Sequence, residues 1–429
     1  MTDPTALRHD LVEEVLGRTA ISDEQVTAAL RAVPRHVFLP QVPPESVYRD
    51  EAIVTKRDPD GLPTSSSSQP SIMAIMLDQL GLAPGQRVLE VGAGTGYNAA
   101  LMAHIVGPAG EVVTVDIDHD VVARARAGLA AAGFPGVRVV CADGSEGFPP
   151  RAPYHRMIAT VGVWDLAPAW LDQLAPDGRL VVPLDLRGAQ VSGAFERAPG
   201  GGHWVSRSVA ACGFMRMRGA MAGPDLVRVL DREAGLALMT QQPDGLDAGG
   251  LRRALDAPPV ELATGVAAEP MQLFDGVALW LAVHDPRCCG LSETRPAGPS
   301  AGQPAEPTRR GFAVFGAPGW RMTIGLLAGA SLAALARGSD DDSVSVYGYG
   351  PAGDRLGADL VRLVRAWADA GRPMAKGLRI DAYRRLGGAA EAPDPNGRPV
   401  IEKRHTRLVL SWPASPGPST SPRKSERGL

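Results

Sequence analysis

The chain has 429 residues, 45% of them hydrophobic, and 44 Lys and Arg against 47 Asp and Glu give a formal net charge of −3. That is ample apolar material for two or three domains, and it makes no electrostatic case for nucleic acid or an anionic membrane as partner. Four cysteines (Cys141, Cys212, Cys288, Cys289) show neither C-x-x-C nor a matched histidine spacing; reduced structural thiols, no metal site and a cytoplasmic location are expected. There is no signal-peptide pattern, and no charge-free apolar run reaches the length of about 18 residues that a membrane span needs.

In chain order, residues 7–31 read as two helices, the second opened by Ser22-Asp23-Glu24-Gln25 as cap and first turn. VPRHVFLP (33–40) is a proline-bounded segment that docks on the core. TSSSSQPSIMAIMLDQLGL (64–82) is a hydroxyl-rich loop that enters a helix near Ser71 and runs to Leu80, with proline in its first turn. RVLEVGAGTGY (87–97) follows, and the rest of the chain is organised around it. Its apolar half predicts a buried strand of a parallel sheet, and Gly92, Gly94 and Gly96 predict a turn where main chain can approach a ligand. Residues 98–106 predict a helix whose N-terminus faces that turn, a ready site for a nucleotide-like ligand. The third glycine comes one residue too early for the dinucleotide pattern G-x-G-x-x-G, which disfavours a nicotinamide enzyme. EVVTVDI (111–117) is a second strand ending in Asp116, placed to hydrogen-bond ribose hydroxyls. Residues 120–132 read as a helix, and VRVVCADG (137–144) as a third strand ending in Asp143-Gly144.

From Pro224 to about Trp412 the chain nearly doubles. MQLFDGVALWLAVHDP (271–286) predicts an apolar helix or strand, and GFAVFG (311–316), RMTIGLL and SVSVYGYG (343–350) predict strands. IGLLAGASLAALA (324–336) is too short to span a membrane and reads as a buried helix. Asp359 to Ala370 predicts an amphipathic helix, with Leu360, Leu363, Val364 and Trp367 three and four residues apart. IEKRHTRLVLSW (401–412) predicts a closing strand. Residues 293–309 read as a linker, the acidic run Asp340-Asp341-Asp342 as a solvated turn, and the tail from 413 to 429 as disordered.

The order Glu90-x-Gly92-x-Gly94-x-Gly96 resembles the first motif of class I methyltransferases that use S-adenosylmethionine. With V-P-R-x-x-F-x-P before it and Ser68-Gln69-Pro70 between, the arrangement resembles protein-L-isoaspartate O-methyltransferases over about residues 10–220. The resemblance implies an α/β fold: a Rossmann-like doubly wound sheet, with a C-terminal α+β accessory domain. The expected division is N-terminal helices and closing segment (1–80), S-adenosylmethionine-binding core (81–222), accessory domain (223–412) and tail (413–429). It implies Ser68 as the catalytic position, orienting the acceptor, with Arg35 and Ser66 on the substrate. It implies Ser67, Gln69, Met73, Glu90, Gly92, Gly94, Gly96, Asp116, Asp143 and Gly144 on the cofactor. The partner implied is a peptide or protein carrying an aspartyl or isoaspartyl carboxylate, whose methyl ester collapses to a succinimide. The long form also resembles actinobacterial relatives associated with ribosomally made, modified peptides, including the "FxLD system" group. That favours peptide tailoring over general protein repair, with a non-catalytic cofactor-binding module as a further alternative.

Overall fold

The computed structural model describes residues 3–59, 63–242, 244–294, 315–317, 320–338, 343–385, 394 and 396–413. Most of the expected linker 293–309, the acidic run 340–342, the start of GFAVFG and nearly all of the tail lie outside the described residues.

The N-terminal helices run Pro4–Arg18 and Glu24–Ala32, and the Asp23 carboxylate caps the second by accepting from the Gln25 N–H at 2.8 Å. A two-stranded antiparallel hairpin follows, β1 (Ile53–Arg57) and β2 (Pro63–Ser67). The helix Pro70–Leu80 then leads into β3 (Arg87–Val91), β4 (Glu111–Asp116), β5 (Arg138–Cys141), β6 (Tyr154–Ala159), β7 (Leu174–Leu186), β8 (Ala189–Arg197) and β9 (Trp204–Cys212). β7-β6-β3-β4-β5 are parallel neighbours, whereas β8 adds antiparallel to β7 and β9 antiparallel to β8. β3 is the earliest strand and has later strands on both sides. The crevice at its C-terminal tip is therefore the point where strand order reverses, the place where open α/β sheets bind ligands. Both faces of this sheet are covered. One packs the helices around Val26, Leu77 and Leu101; the other packs Trp170, Leu180 and Phe195.

The C-terminal half builds a second, antiparallel sheet. Its strands are β10 (Val227–Asp231), β11 (Leu236–Thr240), β12 (Val260–Ala267), β13 (Cys288–Thr294), β14 (Phe315–Ala317), β15 (Trp320–Ala328), β16 (Ser331–Arg337) and β17 (Ser343–Tyr349). Helix Gly353–Asp369 lies on it, burying Leu356, Leu360, Val364 and Trp367; it begins six residues before the expected start. Residues 270–284 are helical throughout, with a π turn at Leu273–Val277.

Two expectations are corrected. Residues 324–336 are not a helix but parts of β15 and β16, which pair around a turn where Gly329 adopts φ +56°. Along β16, Ala333 and Leu335 enter the core under helix Gly353–Asp369, while Leu332 and Ala334 enter a separate core with Leu238 and Leu251. A strand buried on both faces has no polar alternation, so its apolar run looks like a buried helix until both covering layers exist. The boundary at 223–412 also fails at its far end. β18 (Arg379–Arg384) pairs with β9 through Asp381 and Ala382 opposite Val205 and Trp204, and β20 (Thr406–Ser411) and β19 (Val400–Glu402) follow it. The first sheet therefore has ten strands, and Ile380, Ile401, Leu408 and Leu410 complete its core.

Candidate active site

At the tips of β3, β4 and β6 lies a cavity of about 510 Å³. Of the residues singled out in the sequence, Ser66, Ser67, Ser68, Gln69, Met73, Glu90, Gly92, Gly94, Asp116 and Gly144 line it. Gly92 shows why the turn is glycine. Its φ is +103°, and a Cβ there would stand 2.6 Å from the Thr160 Oγ1 that donates to the Gly92 carbonyl at 2.7 Å.

Glu90 is fully buried beneath the turn, accepting from Asn98 Nδ2 at 2.8 Å and Thr114 Oγ1 at 2.6 Å. Burial pushes its carboxyl up to about 7, against the pull of those two donors. Asp116 caps its own turn: its Oδ2 accepts from the Gly94 N–H at 3.3 Å and its Oδ1 from the Asp118 N–H at 3.1 Å. A carboxylate offers about four lone-pair sites, so Asp116 retains acceptor capacity toward hydroxyls in the cavity.

Two chain segments are tied together at this rim. Arg218 donates to both Asp118 oxygens at 3.2 and 2.7 Å, and Lys56 from β1 donates to Asp118 at 2.9 Å and Asp120 at 2.6 Å. The Arg218 guanidinium, followed by Lys56, holds the Asp118 carboxyl down at about 2.

Three implied site residues are placed elsewhere. Arg35 is not on the substrate side; it is fully buried. Its guanidinium donates to the carbonyls of Val47 (2.8 Å), Arg49 (3.2 Å), Glu51 (3.3 Å) and Ser68 (3.0 Å), and to Ser67 Oγ at 3.3 Å. Five donors in a rigid fork can gather several carbonyls at once, so Arg35 shapes the serine turn from behind. Asp143 is not among the residues that line the cavity, and its carboxylate accepts from the N–H groups of Ser145 (2.9 Å) and Ala220 (2.8 Å). Gly96 does not line the cavity either. It starts helix Tyr97–Val106 at φ +88°, where a Cβ would meet the Ala125 carbonyl of the next helix at 3.1 Å.

The sequence reading missed Asp50, Asn98, Thr114 and Thr160. Asp50 accepts from Gln69 Nε2 (3.0 Å), Ser71 N–H (2.8 Å) and Ser71 Oγ (2.7 Å), fixing the Ser-Gln-Pro corner at the start of its helix. No local motif marks it, because its partners are about 20 residues away in sequence. Thr114 and Asn98 were findable in principle: one faces Glu90 across the β3–β4 pair, the other sits in the first turn of the following helix. Among the described residues no group of three or more His, Cys, Asp or Glu side chains is placed to hold a metal ion, and no helix is long and apolar enough to cross a membrane.

A glycine turn at the strand-order switch, with an acid at the next strand tip, defines a class I methyltransferase fold with S-adenosylmethionine as its cofactor. The family model described as Protein-L-isoaspartate(D-aspartate) O-methyltransferase (PCMT) matches residues 6–220. A protein-L-isoaspartate O-methyltransferase from Methanoculleus marisnigri is 38% identical over 183 residues, 43% of this chain and 79% of that protein. One from Thermotoga maritima is 38% identical over 181 residues, 42% of this chain and 56% of that protein. A solved structure titled protein-L-isoaspartate O-methyltransferase aligns over 87% of this chain and 96% of its own, at 25% identity and a TM-score of 0.48. The chain belongs to the protein-L-isoaspartate O-methyltransferase family and is an S-adenosylmethionine-dependent carboxyl O-methyltransferase.

Proposed function

We propose that the chain methylates the misplaced carboxylate of an isoaspartyl residue in a peptide or protein, the activity named for its relatives. The observation that carries this reading is that the serine turn Ser66-Ser67-Ser68-Gln69 and the glycine turn after β3 line one cavity. Acceptor and methyl donor can therefore meet inside a single chain.

Bound S-adenosylmethionine would supply a methyl group on a sulfonium. Glu90, Gly92, Gly94, Asp116, Gly144, Ser67, Gln69 and Met73 are the residues that would hold it. The acceptor carboxylate is already ionised near neutrality and needs no strong base. The sulfonium would supply the methyl group to a carboxylate oxygen and its sulfur would keep the electron pair of the carbon–sulfur bond. The protein's work is then to position the carboxylate and exclude water. Ser66 and Ser68 are assigned to the carboxylate, and Arg35 keeps the Ser67-Ser68 backbone in place for them. The ester then loses methanol when the neighbouring main-chain nitrogen attacks its carbonyl, closing a succinimide.

Intact-mass analysis with an isoaspartyl peptide tests this directly. A gain of one methylene, followed by loss of methanol, is expected; an unmodified peptide would overturn it. Ser68→Ala is expected to lower turnover by roughly tenfold to a hundredfold, the scale of a lost positioning contact, with a smaller change in cofactor affinity. Turnover equal to the parent enzyme would remove the role assigned to Ser68.

Glu90 provides a pH test. Its carboxyl titrates near 7 in the fold, above the ordinary glutamate value of about 4.3. The ligand-free fold therefore gains stability from the protonated form at low pH and loses it as pH rises through about 7. A cationic ligand favours the ionised carboxylate, so calorimetric affinity for S-adenosylmethionine should rise between about pH 6 and about pH 8. Glu90→Gln should flatten that rise; a slope unchanged in the variant would assign it to another group.

A second reading, tailoring of a ribosomally made peptide, draws support from Phe274, a residue of the C-terminal half that also lines the cavity. Incubation with a macrocyclic Asp-containing precursor beside the isoaspartyl peptide separates the two, since methylation is expected only on the preferred acceptor.

A further inference from the structure

The catalytic unit matched by the family ends at residue 220, and every element assigned above to the cofactor lies before that point. Phe274 lies 54 residues beyond it (274 − 220) and still forms part of the cavity wall, together with the segment Ala211–Arg218. Its ring is 41% exposed, and Met271, three residues earlier on the same helical face, is 62% exposed.

The turn that carries Phe274 is held from several directions. Leu273 and Val277 are buried in the core under helix Gly353–Asp369. Gly276 packs so closely on Trp367 that a Cβ would stand 2.9 Å from the indole Cζ2. The Asp275 Oδ1 accepts from the Ala375 N–H at 2.9 Å, and Glu269 and Gln272 form a reciprocal capping box just before it. The turn itself is π-helical, a local rearrangement that recurs at functional sites. A large apolar side chain carried on a backbone turn held this firmly is pre-organised in position, and an aromatic ring has few rotatable bonds to lose on binding.

The nearby cations are already committed. Arg218 is paired with Asp118, and Arg216 donates to the carbonyls of Ala222 at 3.1 Å and Pro224 at 2.6 Å. Phe214, Met215 and Met217 add apolar surface on the same side of the cavity as Phe274.

We propose that Phe274 is a specificity-determining residue for the acceptor, receiving an apolar side chain next to the reacting isoaspartyl residue. This rests on the isoaspartyl-acceptor reading above. The C-terminal half thereby acts as a selector of peptide sequence, while the family's catalytic unit carries out the transfer.

Three isoaspartyl peptides that differ only in the neighbouring residue (leucine, glycine or glutamate) test it in the full chain. The parent enzyme should show a KM about tenfold lower for the leucine peptide than for the glycine or glutamate peptide, the scale of one buried apolar side chain. Phe274→Ala should raise the leucine KM to the glycine level, and Phe274→Leu should restore most of the preference. Calorimetric affinity for S-adenosylmethionine should be the same in all three proteins. Equal KM values in the parent enzyme, an equal rise for every peptide in Phe274→Ala, or a shift in cofactor affinity would overturn the proposal. A parent enzyme that binds S-adenosylmethionine but methylates none of the peptides would overturn the isoaspartyl reading first, and this assignment with it.

Discussion

Replacing Arg35 by alanine is expected to destabilise the fold by about 3–5 kcal/mol, because the loss empties a fully buried site and removes the donor shared by four carbonyls at once. The four carbonyls it serves belong to Val47, Arg49, Glu51 and Ser68, which connect the short helix Pro44–Val47 to the serine turn. Burial pulls the guanidinium below its ordinary value, and Tyr97, Asp50 and Tyr48 offset the shift in part. Arg35→Lys should recover only part of the loss, since an ammonium cannot span donors set in a planar fork. Denaturant unfolding of the ligand-free protein measures the effect. A substrate-contacting arginine would behave in the opposite way: peptide KM would rise and the unfolding midpoint would stay where it was.

The second large effect is expected at Asp116. Asp116→Ala should weaken S-adenosylmethionine binding by about 1–3 kcal/mol, the range for a lost buried hydrogen-bond partner, which corresponds to roughly fivefold to 150-fold in Kd. Two contributions combine. The carboxylate is assigned to the ribose hydroxyls, and it also holds the Gly94 and Asp118 N–H groups that shape the rim. Asp116→Asn keeps one acceptor oxygen, enough for one of the two main-chain N–H groups, and replaces the other by an NH₂ group that cannot accept from ribose, so it should weaken binding by no more than Asp116→Ala. Titration calorimetry reads both variants. An affinity equal to the parent in Asp116→Ala would mean that the acid serves only its own turn.

Much of the catalytic unit is legible in the sequence because its signals are local. The apolar run before Gly92, the positive-φ demand of the turn and the helix after it occupy one uninterrupted stretch, 87–106. The acid at the tip of β4 follows from strand length alone. The Ser-Gln-Pro corner is visible for the same reason, since proline and hydroxyls announce a helix start wherever they occur.

What is hidden depends on partners distant in sequence. Asp50 carries no motif, and the V-P-R-x-x-F-x-P motif that contains Arg35 does not mark its partners; each becomes intelligible only when the serine turn lies against it. Asp143 looks like a ligand contact from its place at a strand end, and only the fold shows that Ala220, 77 residues later, donates to its carboxylate. Phe274 belongs to a stretch that reads as an apolar helix or strand, and only the packing of the second half against the first brings it to the cavity wall.

The sequence alone determined the strand–turn–helix that cradles a cofactor, the acid at the next strand tip and the serine corner, because each is encoded by neighbours within a few residues. Tertiary structure alone decided that 324–336 is a hairpin buried between two cores, that the final strands close the catalytic sheet on β9, and which charged groups face the cavity. Burial on both faces, pairing across more than 170 residues and the direction of a side chain are properties of what packs nearby, and no local pattern carries them.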